Sequence, residues 1–487
     1  MRRYAPLLLV ALCAAGALTA SYAVSARWWA AAGPLLALTV LGGFDMAQRR
    51  RALLRNHPLV GRLGFPVREP ETPPRTEREG YEFLVPSMSP LPPPEEEPRV
   101  RVGGPDCRLP YDMALLNVSA MSFGALSSRA VLALGRGAAL GRFAQDTGEG
   151  GLSDHHLRGG GDLIWEIGSG YFGCRTSDGG FEAREFADKA ALPEVKCVSL
   201  KISQGAGPGG GAVLPGAKVS AEVARSRGVP EGEPVISPPN HRVFSTPREL
   251  VLFLARLREL AGGKPTGFKL CVGSRRQFLA VCKAMLAEGV TPDFVVVDGS
   301  EGGTGSGPPR FADRLGMPLT EGLITVHNAL VGAGLRDRIR IGASGGVATG
   351  SDIVKRLVQG ADYTNAARAM MSALGCVRAH RCHTDTCPVG VATQDPRRTW
   401  ALNVGDKAQR VHRYQRATVR GAVRIMAAMG VPEPSGLTPG HLLRRTDATT
   451  VRSYAELYEW LEPGVLPAGP PASWAADWAA ADPDSFG

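Results

Sequence analysis

From Met113 to Arg368 the chain repeats one pattern: a short apolar run, a glycine-rich loop, then an amphipathic stretch. Ala114-Leu-Leu-Asn-Val118 leads to Ser119-Ala-Met-Ser-Phe-Gly124 and a helical stretch from Ser127 to Leu140. Val195–Ile202 leads to Gln204-Gly-Ala-Gly207, and Gly267–Val272 leads to Gly273 and a helix over Arg276–Glu288. Asp293–Asp298 leads to Gly299-Ser-Glu301-Gly-Gly-Thr-Gly305, and Arg338–Ala343 to Ser344-Gly-Gly346 and a helix over Ser351–Gln359. Ala361–Asn365 leads to Ala367-Arg368. Near-continuous apolar strands alternating with helices predict a parallel sheet buried on both faces. A span of about 320 residues fits an α/β fold of the (β/α)8 TIM-barrel type with insertions. The open doubly wound sheet is the alternative, but no Gly-x-Gly-x-x-Gly follows the first strand. In a barrel the chemistry sits at the C-terminal strand ends, where Ser122, Glu149, Lys201, Gln204, Lys269, Asp298 and Glu301 fall.

Two apolar stretches precede this region. Pro6–Val24 and Trp28–Phe44 each approach the roughly 17–25 residues of a spanning helix. Arg2 and Arg3 stand before the first, and Arg49, Arg50, Arg51 and Arg55 follow the second. Positive charge at both outer ends predicts a transmembrane hairpin in the cell membrane, with the main domain cytoplasmic. A signal peptide and a pair of core helices are the alternatives. The expected organisation is a hairpin over 1–48, a proline-rich linker and arm over 49–111, the barrel over 112–435 and a C-terminal extension over 436–487. The net charge is +10, but the arginines are dispersed, without the aromatic-interleaved stripe of a nucleic-acid binder.

Three features point to chemistry. Gly345-Gly346, between a strand and a helix near the end of the pattern, has the form of a phosphate cradle, with Arg368 after the next strand. Lys201 and Lys269 lie late in apolar strands, where an unpaired charge is costly. Each needs an anionic ring, a substrate carboxylate, or a salt bridge with Asp298 or Glu301. Cys376, Cys382 and Cys387 are spaced Cys-x5-Cys-x4-Cys, and Pro388 follows. Nine cysteines in 487 residues are no disulfide framework, so this run reads as a metal or iron–sulfur site. Zinc would want a fourth ligand, His380 or His383; three thiolates suit a three-iron cluster.

Met121-Ser-Phe-Gly-Ala-Leu-Ser127, Asp146-Thr-Gly-Glu-Gly-Gly151, Lys201-Ile-Ser-Gln-Gly-Ala206, Ile236-Ser-Pro-Pro239, Glu301-Gly-Gly-Thr-Gly305 and Cys382-His-Thr-Asp-Thr-Cys-Pro-Val-Gly-Val-Ala-Thr-Gln394 occur in that order. Together they resemble the synthase domain of glutamate synthase, especially short bacterial relatives without a glutaminase domain. The likeness runs from about Arg55 to about Pro434. It implies a barrel enzyme, an oxidoreductase acting on CH–NH2 donors, that binds FMN and a [3Fe–4S] cluster and forms L-glutamate from 2-oxoglutarate and ammonia. By the match, Cys376, Cys382 and Cys387 ligate the cluster. Met121 and Ser122 line the flavin, and Gly345 and Gly346 hold its phosphate. Lys269, Asp298, Glu301, Gly302, Gly303, Thr304 and Arg368 complete the flavin site. Lys201, Gln204 and Glu149 form the catalytic set, with Lys201 on the keto-acid carboxylate. The expected partners are a ferredoxin or separate NAD(P)H-dependent reductase, and a separate glutaminase subunit where ammonia is not free.

One departure concerns charge. The family's Lys-Pro-Gly-x-Gly loop is Gly207-Pro208-Gly209-Gly210-Gly211 here, so a cation is missing at Gly207 and a glutamate at Gly210. A different keto acid or amine is the alternative substrate, and a non-catalytic membrane redox sensor or scaffold the alternative role.

Overall fold

The computed structural model describes residues 4–63, 76–205, 212–302 and 314–487. Gly207, Gly210, Gly303 and Thr304 lie outside them. Eight parallel strands close into a barrel. They are β1 (Leu116–Val118), β2 (Gln145–Asp146), β3 (Leu163–Ile167), β4 (Val195–Lys201), β5 (Thr266–Leu270), β6 (Phe294–Asp298), β7 (Arg340–Ser344) and β8 (Tyr363–Ala366). The ring closes where β8 pairs with β1, Asn365 opposite Asn117. Closure excludes the doubly wound alternative. The six strand–loop units expected from sequence are present, and β2 and β3 complete the ring.

Helices coat the barrel. In chain order, two at the front are α1 (Ala5–Ala23) and α2 (Trp29–Ala47). Around the barrel run α3 (Ser128–Gly141), α4 (Ala183–Ala190), α5 (Pro247–Leu260), α6 (Arg275–Glu288), α7 (Leu319–Gly332), α8 (Gly350–Val358) and α9 (Arg368–Leu374), followed by α10 (Val404–Ala428) and α11 (Ala472–Ala480). Their starts are set locally. Ser127 caps α3, and Thr246 with Glu249 and Thr349 with Asp352 form capping boxes at α5 and α8. Met113, Ile164, Cys197, Phe294, Val296 and Tyr363 belong to one buried cluster, with Val102 of the hairpin Arg99–Val102/Tyr111–Ala114. An apolar plug thus fills one end of the barrel, and Lys201, Lys269, Glu149, Glu166 and Asp298 gather at the other.

The arm and the C-terminal extension pack together. Glu82–Leu84 pairs antiparallel with Leu442–Arg444. α11 lies on α6, where Arg275 pairs with Asp477 and stacks 4.4 Å from the Trp474 ring centre. α1 and α2 pack on each other and are long and apolar enough to cross a membrane. Only 17% of each apolar window is buried, unlike core helices.

Candidate active site

Lys201 ends β4, and Glu149 lies in the loop after β2. Their side chains meet at 2.8 Å, Nζ to Oε1, with Lys201 9% and Glu149 12% exposed. The Thr147–Gly151 loop packs directly on the Met121-Ser122 backbone. Gly148 has φ +65°, and a Cβ there would stand 2.6 Å from Ser122 N. Only glycine fits both the left-handed conformation and the close approach. Glu149 also accepts from Ser237 Oγ at 3.2 Å. Burial opposes ionisation of Glu149, but the Lys201 ammonium outweighs it and holds the carboxyl below its ordinary range.

Lys269, next to last in β5, is 4% exposed and stands 3.8 Å from both Glu166 of β3 and Asp298 of β6. Burial alone would lower its pKa; Asp298, Glu166 and Asp146 together raise it. Burial raises the Asp146 and Glu166 carboxyls, and they are electrostatically linked. The expected salt bridge with Asp298 is thus present for Lys269, with Glu166 added. Lys201 pairs instead with Glu149. Asp298 Oδ2 also accepts from Gly205 N at 2.9 Å, tying the β4 loop to β6. Gln204 is half-buried one residue before it.

Glu301 does not face either lysine. Its carboxylate accepts from Leu319 N at the start of α7, at 3.0 Å. Its carbonyl accepts from Arg368 Nη2 at 2.6 Å, which brings Arg368 across from the start of α9 to the β6 loop. Gly302 N bonds Gly299 O at 2.7 Å in the same turn. Gly345 and Gly346 follow β7 with φ +129° and +66°. A Cβ on Gly346 would meet nothing within 4 Å. Among the described residues neither amide has a hydrogen-bond partner.

The cysteine loop follows α9. Cys387 is buried, and Cys376 and Cys382 are half-buried in the same cluster. Arg378, His380 and Asp385 take φ +52°, +52° and +57°, so the loop doubles back three times through a conformation that non-glycine residues rarely adopt. Cys376 Sγ accepts from Arg378 N at 3.4 Å. Among the described residues no three His, Cys, Asp or Glu side chains stand at metal-ligating spacing. Lys218, 2% exposed, pins the loop: its Nζ donates to Cys382 O at 2.9 Å, Ala125 O at 2.7 Å and Ala392 O at 3.4 Å.

Sequence reading missed two residues at the mouth. Arg227, 4% exposed, donates to Ser122 Oγ at 3.2 Å and Phe123 O at 3.3 Å, and its Nε has no partner among the described residues. Burial lowers its pKa to about 10 against the pull of Glu149. His241 Nε2 lies 2.9 Å from Lys201 O, and Nδ1 lies 3.2 Å from Tyr171 Oη. Burial lowers its pKa to about 4, so the ring is neutral and can donate to the carbonyl that carries Lys201.

Residues 110–432 match the family model described as the conserved region in glutamate synthase. A glutamate synthase large subunit-like protein of Bacillus subtilis, YerD, is 42% identical over 348 residues, 71% of this chain and 66% of that one. The archaeal glutamate synthase (NADPH) of Methanocaldococcus jannaschii is 34% identical over 316 residues, 64% of this chain and 58% of its own. The chain thus spans about two thirds or less of these relatives' lengths. Mandelate oxidase with (S)-2-phenylpropionate aligns with a TM-score of 0.44 at 13% identity over 76% of this chain and 86% of its own, too remote to bear on the site. With the family model covering most of the chain and the barrel closed around the matched motifs, this chain belongs to the glutamate synthase family.

Proposed function

We propose that the barrel mouth reduces a keto acid to an amino acid: 2-oxoglutarate, ammonia, two electrons and two protons give L-glutamate and water. The observation that carries this reading is the buried Lys201–Glu149 pair, 2.8 Å apart beside Met121 and Ser122. A keto acid entering there brings carboxylates that the Lys201 ammonium and the Arg227 guanidinium can bind. Glu149, released from Lys201, can accept a proton from the incoming amine. The neutral His241 holds the Lys201 backbone and adds no charge. The chemistry that FMN and a [3Fe–4S] cluster supply when bound is, respectively, two-electron and one-electron transfer.

The glycine turn fits a phosphate, and the cysteine loop supplies the donor type of a cluster, though its three thiols do not stand at metal-ligating spacing as folded here. The unpartnered Gly345 and Gly346 amides, with open space where a side chain would stand on Gly346, suit a phosphate. The three thiols of one tightly folded loop are soft donors of the kind iron–sulfur clusters use. Lys269 offsets part of the negative charge of Glu166 and Asp298 on the floor of the site. The hairpin of α1 and α2 would hold the enzyme at a membrane with the barrel on the cytoplasmic side, and a ferredoxin or reductase would supply electrons. Glycine at positions 207 and 210 favours a second reading, in which a less highly charged keto acid or a different amine is the substrate.

The test quantifies FMN and iron in the anaerobically purified full chain, then compares 2-oxoglutarate binding in the wild type and Lys201→Met. Substoichiometric flavin in well-folded protein, or unchanged 2-oxoglutarate affinity in the variant, would overturn the reading.

A further inference from the structure

We propose that the cysteine-loop face of the barrel lies on the membrane surface, where a basic collar binds the headgroups of anionic phospholipids. The proposal rests on the reading of α1 and α2 as a membrane hairpin and adds the orientation of the barrel and its lipid ligand.

The geometry begins at the end of α2. The short segment after Ala47 docks on the turn that carries Cys387. Asn56 is fully buried, and its Nδ2 donates to Pro388 O at 2.9 Å and Arg398 O at 3.2 Å. Arg55 Nη1 donates to Ala401 O at 3.1 Å, and its guanidinium lies 4.3 Å from the Trp400 ring centre. Lys407 Nζ donates to Arg50 O at 2.8 Å. Ala52 shares a buried cluster with Cys387. The membrane anchor and the cysteine loop are therefore one packed unit, with no free linker between them.

The charge on this unit is one-sided. Arg49, Arg50, Arg51, Arg129 and Arg410 are exposed, and among the described residues none of them forms an ion pair. The nearby acids are engaged: Asp406 with Lys407 and Asp395 with Arg398. Arg55 is held below its ordinary range by burial and by repulsion from Arg129 and Arg49. A Cβ on Gly375 would stand 3.7 Å from Lys407 Nζ and 3.8 Å from Arg410 Nη1, so the collar reaches the residue before Cys376. A contiguous cationic surface continuous with two apolar helices is complementary to lipid phosphates, and each arginine near an anionic bilayer strengthens binding about fivefold.

The full chain is incorporated into phosphatidylcholine nanodiscs and into mixed phosphatidylcholine–phosphatidylglycerol nanodiscs. EPR of spin-labelled phosphatidylglycerol and spin-labelled phosphatidylcholine then measures how much of each lipid the protein immobilises. The wild type should retain phosphatidylglycerol about tenfold in preference. High salt and the R49Q/R50Q/R51Q/R410Q variant should each abolish that preference. Equal immobilisation of both lipids by a chain that enters phosphatidylcholine discs overturns the lipid site and leaves the hairpin standing. A chain that enters neither disc overturns the hairpin reading and this proposal with it. Salt-sensitive capture of an acidic electron-carrier protein by these arginines, without lipid preference, would assign the face to that partner and overturn the proposal.

Discussion

Replacing Lys269 by Met should destabilise the barrel strongly at neutral pH and much less in mild acid. The ammonium lies 3.8 Å from both Glu166 and Asp298, all three nearly inaccessible to water. At an effective dielectric of 20, each contact is worth about 4 kcal/mol of attraction. Desolvation of the ions cancels much of this, so loss of one partner from such a group costs about 3–5 kcal/mol. The pH dependence has a definite sign. The folded-state pKa values of Asp146 and Glu166 lie above their unfolded values. Such groups contribute stability that is fully present below the unfolded pKa and is lost as pH rises through the folded one. Without the Lys269 cation both shifts grow, and each carboxyl that stays protonated adds a slope of up to about 1.4 kcal/mol per pH unit. Intrinsic-fluorescence melting of the full chain from pH 5.5 to pH 8 measures the effect. The gap between wild type and variant should widen steadily with pH, and adding Glu166→Gln should recover part of the loss. A gap independent of pH, or no recovery in the double variant, would refute this account of the buried charges.

Glu149→Gln should retain the fold and flavin but slow turnover by about 100-fold or more, as expected for loss of a proton acceptor, measured under saturating keto acid. The folded-state pKa of Glu149 is depressed from its ordinary 4.5, so its ion pair contributes stability above that unfolded value that is lost as pH falls through the folded one. The acid limb of the melting curve should flatten in this variant. Gly346→Val, at φ +66°, should lower FMN occupancy while leaving iron content unchanged, checked by flavin extraction and iron assay. Lys218→Met removes three hydrogen bonds to carbonyls at 2.7–3.4 Å. Hydrogen exchange across 376–394 should accelerate and iron retention should fall, with β1–β8 unaffected.

The barrel was legible wherever a strand announced itself. Asp293–Asp298 and Arg338–Ala343 are short β-rich runs that end in glycine loops, and they fold as the strands Phe294–Asp298 and Arg340–Ser344. β2 is two residues, Gln145 and Asp146, with no apolar run to mark it. β3 carries Glu166 within Leu163–Ile167, and its charge hides a fully buried strand. The partner of that charge, Lys269, is about a hundred residues away, so only the closed ring reveals why it is tolerated. α10 packs on α3 although its sequence is crowded with arginine, because those side chains project outward while Val411, Val419 and Met426 face in. At the site, the fold brings Lys201, Glu149, Met121 and Ser122 close together. Arg227 and His241 could not be read from spacing. One closes a short helix in the β4–β5 insertion, the other follows in the same insertion, and neither is marked by glycine or by a strand end. For the cysteines, the sequence supplied donor type and order, while the lysine that pins their loop lies some 160 residues upstream and emerges only from the fold.

The proposed formation of an amino acid from a keto acid and ammonia at this barrel mouth can be read out in one assay. The most direct measurement incubates the full chain anaerobically with a reduced viologen, 2-oxoglutarate and 15N-ammonium, and follows the product by mass spectrometry. The account predicts 15N-labelled L-glutamate formed catalytically by the wild type and lost in Lys201→Met. Flavin-replete wild-type protein that forms no labelled glutamate would contradict it.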